Sequence, residues 1–178
     1  TGHGYSKRMF ERIAAGEPSQ GVEHYKNSVN TKHYEAANSV LDLIFTGALE
    51  RFPELKLVIV ENEAGWIPFM LQQWDYYYNR FKTRNPMPIE MMPSEYFARQ
   101  GYATFFKDAV GGNSFEFWGQ DNCMWSNDYP HENSTWPHSV DVIANTLGHL
   151  PDDIRTKLLR TNAERLYGVT IPDAVPQS

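Results

Sequence analysis

The run Met124-Trp125-Ser126-Asn127-Asp128-Tyr129-Pro130-His131 places a carboxamide, a carboxylate and an imidazole within a few residues of a short apolar stretch. A carboxylate oxygen binds a divalent cation or accepts a proton, and imidazole is a common ligand and acid/base group near neutral pH. Polar side chains just past the C-terminal end of a strand are what the active-site rim of a parallel barrel presents. Asp before Tyr-Pro is also ordinary turn chemistry, so the spacing alone leaves both readings open. Asn133-Ser134-Thr135-Trp136-Pro137 extends the loop with turn-forming and aromatic residues.

A second group, Glu61-Asn62-Glu63, follows another apolar run. Two carboxylates there suit an acid and base pair, with Glu61 ahead of Glu63. They equally suit a solvated strand end, or a charge in the first turn of a helix. His3 lies between Gly2 and Gly4, and glycines let a backbone approach a ligand closely. A lone His is also a frequent surface residue. His24, His33, His138 and His149 have no supporting neighbours and read as surface or structural groups. Trp66, Trp74, Tyr76, Tyr77 and Tyr78 suit helix packing, or an aromatic wall for a substrate ring. Cys123 reads as an inert buried thiol. The sequence carries no phosphate loop, dinucleotide fingerprint or serine nucleophile elbow.

The elements that must position these groups alternate. A Gly-rich loop is expected over 1–6, a short helix over 7–15 and irregular chain over 16–30. An amphipathic helix is expected over 33–51, on Ala36, Val40, Leu43, Ile44 and Leu49. Phe52-Pro53 ends it. Leu55–Val60 reads as a strand buried on both faces. A long helix over 66–81 carries Ile67, Met70, Leu71, Trp74 and Tyr78 on one face. A Pro- and Met-rich loop over 82–92 precedes a helix over 93–100, with Ser94 as its N-cap. Strands over 102–106 and 122–125 flank a short helix or turn at 115–119. Helices over 140–147, 151–160 and 163–167 follow, the last stopped by Gly168, and 169–178 reads as a tail. The alternation predicts an α/β fold with parallel strands. Three strands cannot close an eight-stranded barrel, which takes roughly 250 residues. By pattern, this is about half of one.

The bulk numbers narrow the classes. The chain has 178 residues, 41% hydrophobic and 14% aromatic, enough for a core. Its net charge of -6 argues against a dominant nucleic-acid surface. One cysteine fits a reducing, cytoplasmic setting without a disulfide framework. No run approaches the ~20 apolar residues of a membrane span. The first residue is not Met, so a longer parent chain is an expectation.

Taken together, the motifs resemble those of the amidohydrolase-related family, which includes aminocarboxymuconate-semialdehyde decarboxylases and related metal-dependent hydrolases. Gly47-Ala48-Leu49-Glu50-Arg51-Phe52-Pro53-Glu54-Leu55-Lys56 resembles that family's G-x-x-E-R-F-P-x-L-K run. Glu61-Asn62-Glu63-Ala64-Gly65-Trp66-Ile67-Pro68 is similar to its E-S-G-x-G-W-x-P segment. Trp125 to His131 resembles W-x-S-D-Y-P-H, with Asn127 in place of the common Ser. Asn162-Ala163-Glu164-Arg165-Leu166-Tyr167-Gly168 resembles N-A-x-x-L-Y-G.

The resemblance implies the C-terminal half of a (β/α)8 TIM barrel over residues 1–168, with 169–178 as a tail. It implies a divalent metal at the rim, usually zinc, with manganese or iron as alternatives. Asp128 then matches the last-strand aspartate that binds the metal or accepts a proton. Glu61 and His131 become catalytic pocket residues. His3, Asn62, Trp66 and Asn127 become substrate-binding residues, with His3 a second candidate ligand. The family's first-strand His-x-His pair is absent, and Thr1-Gly2 matches the end of the fifth-strand ligand motif, so those ligands are expected upstream. In the decarboxylase branch a His follows the sixth strand, where Glu61 or Asn62 stands here. The implied activity is hydrolysis or non-oxidative decarboxylation of a small carboxylated or cyclic substrate by a homodimer, this portion alone being inactive without the N-terminal half of the barrel. The competing readings are a metal-free barrel hydrolase using Glu61 and Asp128 as paired carboxylates, as in glycosidases, and a non-catalytic half-barrel that binds a partner through its open sheet edges.

Overall fold

The structure is a computed structural model that describes residues 15–16 and 22–172. The loop expected over 1–6, nearly all of the helix expected over 7–15, and His3 lie outside the described residues. The chain divides into two units: residues 1–55 with 70–100, and residues 56–69 with 101–178.

Among the described residues, the regular structure of the first unit is helical. Val22–Tyr25 (α1) runs through a π-helical turn, Lys26–Thr31, into Lys32–Phe45 (α2). Much of the stretch expected to be irregular is therefore helix. Its apolar residues Val22, Tyr25 and Val29 are exposed, so no buried face impressed a helical period on the sequence. The single helix expected to reach Arg51 is broken at Gly47, after which Ala48–Arg51 (α3) is one turn. Gly47 has φ 71°, and a Cβ there would lie 2.5 Å from the Pro88 carbonyl oxygen, so only glycine fits.

Ile67–Phe81 (α4) spans the boundary between the units. Ile67, Leu71 and Trp74 are buried and Met70 and Tyr78 half-buried, the face read from the sequence. Tyr76 and Tyr77 are instead exposed, stacked edge-on against each other at 5.2 Å. Pro93–Gln100 (α5) starts where expected, but Ser94 is not its N-cap. The backbone N–H and hydroxyl of Ser94 both donate to the Asp75 carboxylate. The Glu95 carboxylate reaches back to the Met92 N–H at 2.7 Å, which is half of a capping box built on Met92. The buried Gln100 amide donates to the carbonyls of Phe52 and Leu55, which fixes the turn of the Arg51-Phe52-Pro53 motif.

The second unit carries the sheet. Leu57–Ile59 (β1), Gly101–Phe105 (β2) and Cys123–Trp125 (β3) pair in the order β1-β2-β3, all parallel. Ile59 pairs with Ala103 and Ala103 with Cys123, and all three are buried. Beyond them Phe105, 1% exposed, packs on Phe115 with ring centroids 4.7 Å apart. Burying a Phe of this kind contributes about 2–3 kcal/mol. The 55–60 run is not buried on both faces: Leu55 is 45% and Val60 40% exposed. Both lie outside the strand, which runs only over Leu57–Ile59.

Ala109–Ser114 (α6) follows β2. Ser139–Leu147 (α7) follows the β3 exit loop. Asp152–Thr156 (α8), a π-helical turn at Lys157–Thr161 and Asn162–Tyr167 (α9) then form one helical run, closed by Gly168 at φ 64°. Inside this run the buried Asn162 donates from Nδ2 to the carbonyls of Gln120 and Cys123, both at 2.8 Å. The Asn of the closing motif therefore anchors the run directly to β3.

Candidate metal centre

Parallel strands deliver their C-terminal ends to one side of a sheet, and that is where the chemistry-bearing residues fall. Glu61 lies two residues past β1. Its backbone is left-handed, φ 60°, and its N–H donates to the Thr104 hydroxyl of β2 at 3.2 Å. Asn62 donates from Nδ2 to the Val60 carbonyl, and its Oδ1 is buried without a partner. The Trp66 indole N–H donates to the Asn62 carbonyl at 2.8 Å. Glu63, also left-handed at φ 53°, turns its carboxylate to the backbone N–H groups of Phe106 and Lys107. Its partners are therefore the amides that follow β2.

The loop after β3 is held by its own residues. Ser126 N–H extends the ladder to the Phe105 carbonyl at 2.8 Å. Asn127 accepts on Oδ1 from Tyr129 N–H, and its carbonyl accepts from Thr135 N–H and the Ser134 hydroxyl. The Tyr129-Pro130 and Trp136-Pro137 bonds are cis, and the exposed Tyr129 and Trp136 rings meet edge-on at 5.8 Å. Within this turn Asp128 takes φ 59°, and its carbonyl accepts from His131 N–H.

The two loops bring Glu61, Asp128 and His131 together. His131 Nδ1 is 3.1 Å from Asp128 Oδ1 and 4.0 Å from Glu61 Oε1. One donor atom from each of the three lies within 4.8 Å of the other two. The Asp128 side chain is 13% exposed and that of Glu61 25%, against 59% for His131. Two carboxylates ~5 Å apart repel by about 3 kcal/mol at an effective dielectric of ~20. A cation beside them relieves that repulsion. Glu61, Glu63 and Asp128 are the non-glycine residues with positive φ among those described. Such a backbone costs about 1–2 kcal/mol per residue. Strain of this kind concentrates at functional sites.

Two carboxylate oxygens and an imidazole nitrogen are a donor set suited to zinc, manganese or iron. The residues present fit a divalent cation. Asn62, Trp66 and Asn127 adjoin the cluster in sequence, and the hydrogen bonds they make shape its two loops. Sequence reasoning missed Thr104 and Asp108. Asp108 accepts from the N–H groups of Ala64, Gly65 and Gly111 at 2.6–2.7 Å and is 7% exposed. An Asp at the head of Ala109-Val110-Gly111 has an N-cap signature that could have flagged it.

Comparison with known proteins gives the family and the fold. A family profile described as Amidohydrolase matches residues 30–169, well over half of the chain. No curated protein matches. Among solved structures, the chain is 27% identical to 5-carboxyvanillate decarboxylase LigW from Sphingomonas paucimobilis, with a TM-score of 0.68 over 92% of this chain and 53% of that one. It is 21% identical to a dihydroxybenzoic acid decarboxylase from Polaromonas sp. JS666 with bound manganese and the inhibitor 2-nitroresorcinol, with a TM-score of 0.67 over 89% and 46%. It is 23% identical to a 2,6-dihydroxybenzoate decarboxylase complexed with 2,6-dihydroxybenzoate, with a TM-score of 0.66 over 90% and 47%. The chain spans about half the length of these proteins, and its parallel sheet and helices cover part of their barrel. With the profile match and the decarboxylase neighbours in agreement, this chain belongs to the amidohydrolase family.

Proposed function

We propose that Glu61, Asp128 and His131 form one side of a divalent-metal centre that decarboxylates or hydrolyses a small carboxylated or cyclic substrate. The observation that carries the reading is their convergence, from two separate strand exits, to within 4.8 Å. The likeness to a carboxyvanillate decarboxylase supports a substrate with an acidic aromatic ring. Asp128, the most buried of the three, is the metal ligand and proton acceptor. His131 Nδ1 hydrogen-bonds Asp128 and sets the orientation of its carboxylate. Glu61 holds a second carboxylate where a proton can be taken or returned to substrate. Asn62, Trp66 and Asn127 line the approach to them. A bound zinc, manganese or iron would supply Lewis-acid polarisation of substrate oxygens.

The other ligands are His3 of this portion or residues of the N-terminal half of the barrel, which this portion needs for activity. Residues 1–168 are the barrel portion and 169–178 its tail. A cytoplasmic homodimer completes the proposal, the single cysteine agreeing with a reducing compartment. The test is chelation of the enzyme with both halves of the barrel present, then add-back of zinc, manganese or iron, following CO2 release from hydroxybenzoate-type carboxylates and hydrolysis of cyclic amides and esters. Loss on chelation with recovery by one metal is expected. Full activity after chelation overturns the metal reading in favour of Glu61 and Asp128 as a carboxylate pair.

A further inference from the structure

Glu61 is held left-handed, with one residue between it and a second left-handed residue, Glu63, in the loop that leaves the edge strand β1. Backbone of this kind persists only when its surroundings determine it. Two carboxylates from opposite sides do so here. Glu63, on the β1 exit, accepts from Phe106 and Lys107 N–H on the β2 exit. Asp108, on the β2 exit, accepts through Oδ2 from Ala64 and Gly65 N–H on the β1 exit, and through Oδ1 from Gly111 N–H. Each loop thus supplies the acceptor for the other's amides, and Thr104 adds a fifth tie at the Glu61 N–H. A Cβ on Gly65 would lie 2.8 Å from Asp108 Oδ1, and one on Gly111 2.7 Å from Oδ2, so both glycines let the carboxylate reach the backbone.

We infer that Asp108, with Glu63, is a positioning residue: a reciprocal carboxylate clamp that fixes the β1 exit and so aims Glu61 at Asp128 and His131. The role of Glu61 rests on the metal reading above, whereas the clamp itself does not. Asp108 touches none of the three donors and acts only through the backbone. Asp108→Asn keeps the volume but replaces one acceptor oxygen by an N–H2 donor facing backbone N–H groups, so at least one tie is lost.

Two readouts separate the claims. Amide hydrogen exchange of the protein is expected to rise about 10-fold or more over 61–66 in Asp108→Asn, with α7 and α9 unchanged. Uniform acceleration across the chain, or no change at 61–66, overturns the clamp. Manganese affinity is then titrated in wild type, Asp108→Asn, Glu61→Gln and the double variant. Asp108→Asn is expected to weaken binding about 10-fold, as loss of an orienting partner does. That factor is expected to vanish when Glu61 is already Gln. An equal loss in both backgrounds overturns the route through Glu61. No saturable manganese in wild type counts against the metal reading, and the exchange result still decides the clamp. If Asp108→Asn does not fold, Thr104→Val and Glu63→Gln are expected to raise exchange over the same residues.

Discussion

Glu61 leaves β1 into a loop whose amides are gripped by the buried Asp108 carboxylate, 43 and 44 residues away in sequence. Asp128 and His131 leave β3 into a loop tied within itself, Asn127 to Tyr129, Ser134 and Thr135. The first arrangement needs the neighbouring strand to be in place before Glu61 can be aimed. The second builds its geometry from local turns and keeps His131 exposed at the rim. A site assembled from both kinds of loop has one donor that depends on tertiary packing and two that depend mainly on local sequence.

The largest effect expected on that contrast comes from Asp108→Ala. It removes an acceptor from two buried N–H groups and one part-buried one and should cost about 3 kcal/mol or more, read as a lower urea midpoint. A loss below about 1 kcal/mol means the β1 exit does not depend on the clamp. Asn162→Ala comes next, because it strips the donor from the Gln120 and Cys123 carbonyls beneath β3. About 2 kcal/mol is expected, again from denaturant midpoints. Ser134→Ala tests the self-tied loop. The part-buried bond to the Asn127 carbonyl and the acceptor for the Trp136 N–H are lost, and about 1 kcal/mol is expected, with no change in exchange at 61–66.

The smallest effect concerns Cys123, buried in β3. Burial, with the Asp108 carboxylate adding to it, pushes its thiol far above the usual range. A folded-state value above the unfolded one gives stability that is present below the unfolded thiol pKa of ~8.5 and is lost as pH rises beyond it. Stability should therefore decline from about pH 8.5 upward, and less so in Cys123→Ala. Iodoacetamide should label Cys123 at pH 8 only in denaturant, and rapid labelling of the native protein contradicts the burial.

This contrast also sorts what was legible in the sequence. The β3 exit was readable because its geometry is local: Asn127, Asp128, Pro130 and His131 announce the turn themselves. Glu61 was readable from its place after an apolar run. Thr104 was not, and Asp108 announced only its local cap of Gly111, since the amides each serves on the β1 exit lie about 43 residues away. Glu63 looked like half of an acid/base pair, and only the fold shows its carboxylate turned to the Phe106 and Lys107 amides. The helix over 22–31 escaped notice because Val22, Tyr25 and Val29 are exposed and mark no buried face. Val60 is exposed because the chain has already left β1 there, which its composition does not signal.

The most direct test of the central claim is calorimetric titration of the protein with manganese, wild type against Asp128→Asn. One ion per chain is expected, weakened about 10-fold or more by Asp128→Asn while the metal-free melting temperature is retained. Undiminished binding in Asp128→Asn, or no saturable binding in the wild type, contradicts a metal centre built on Glu61, Asp128 and His131.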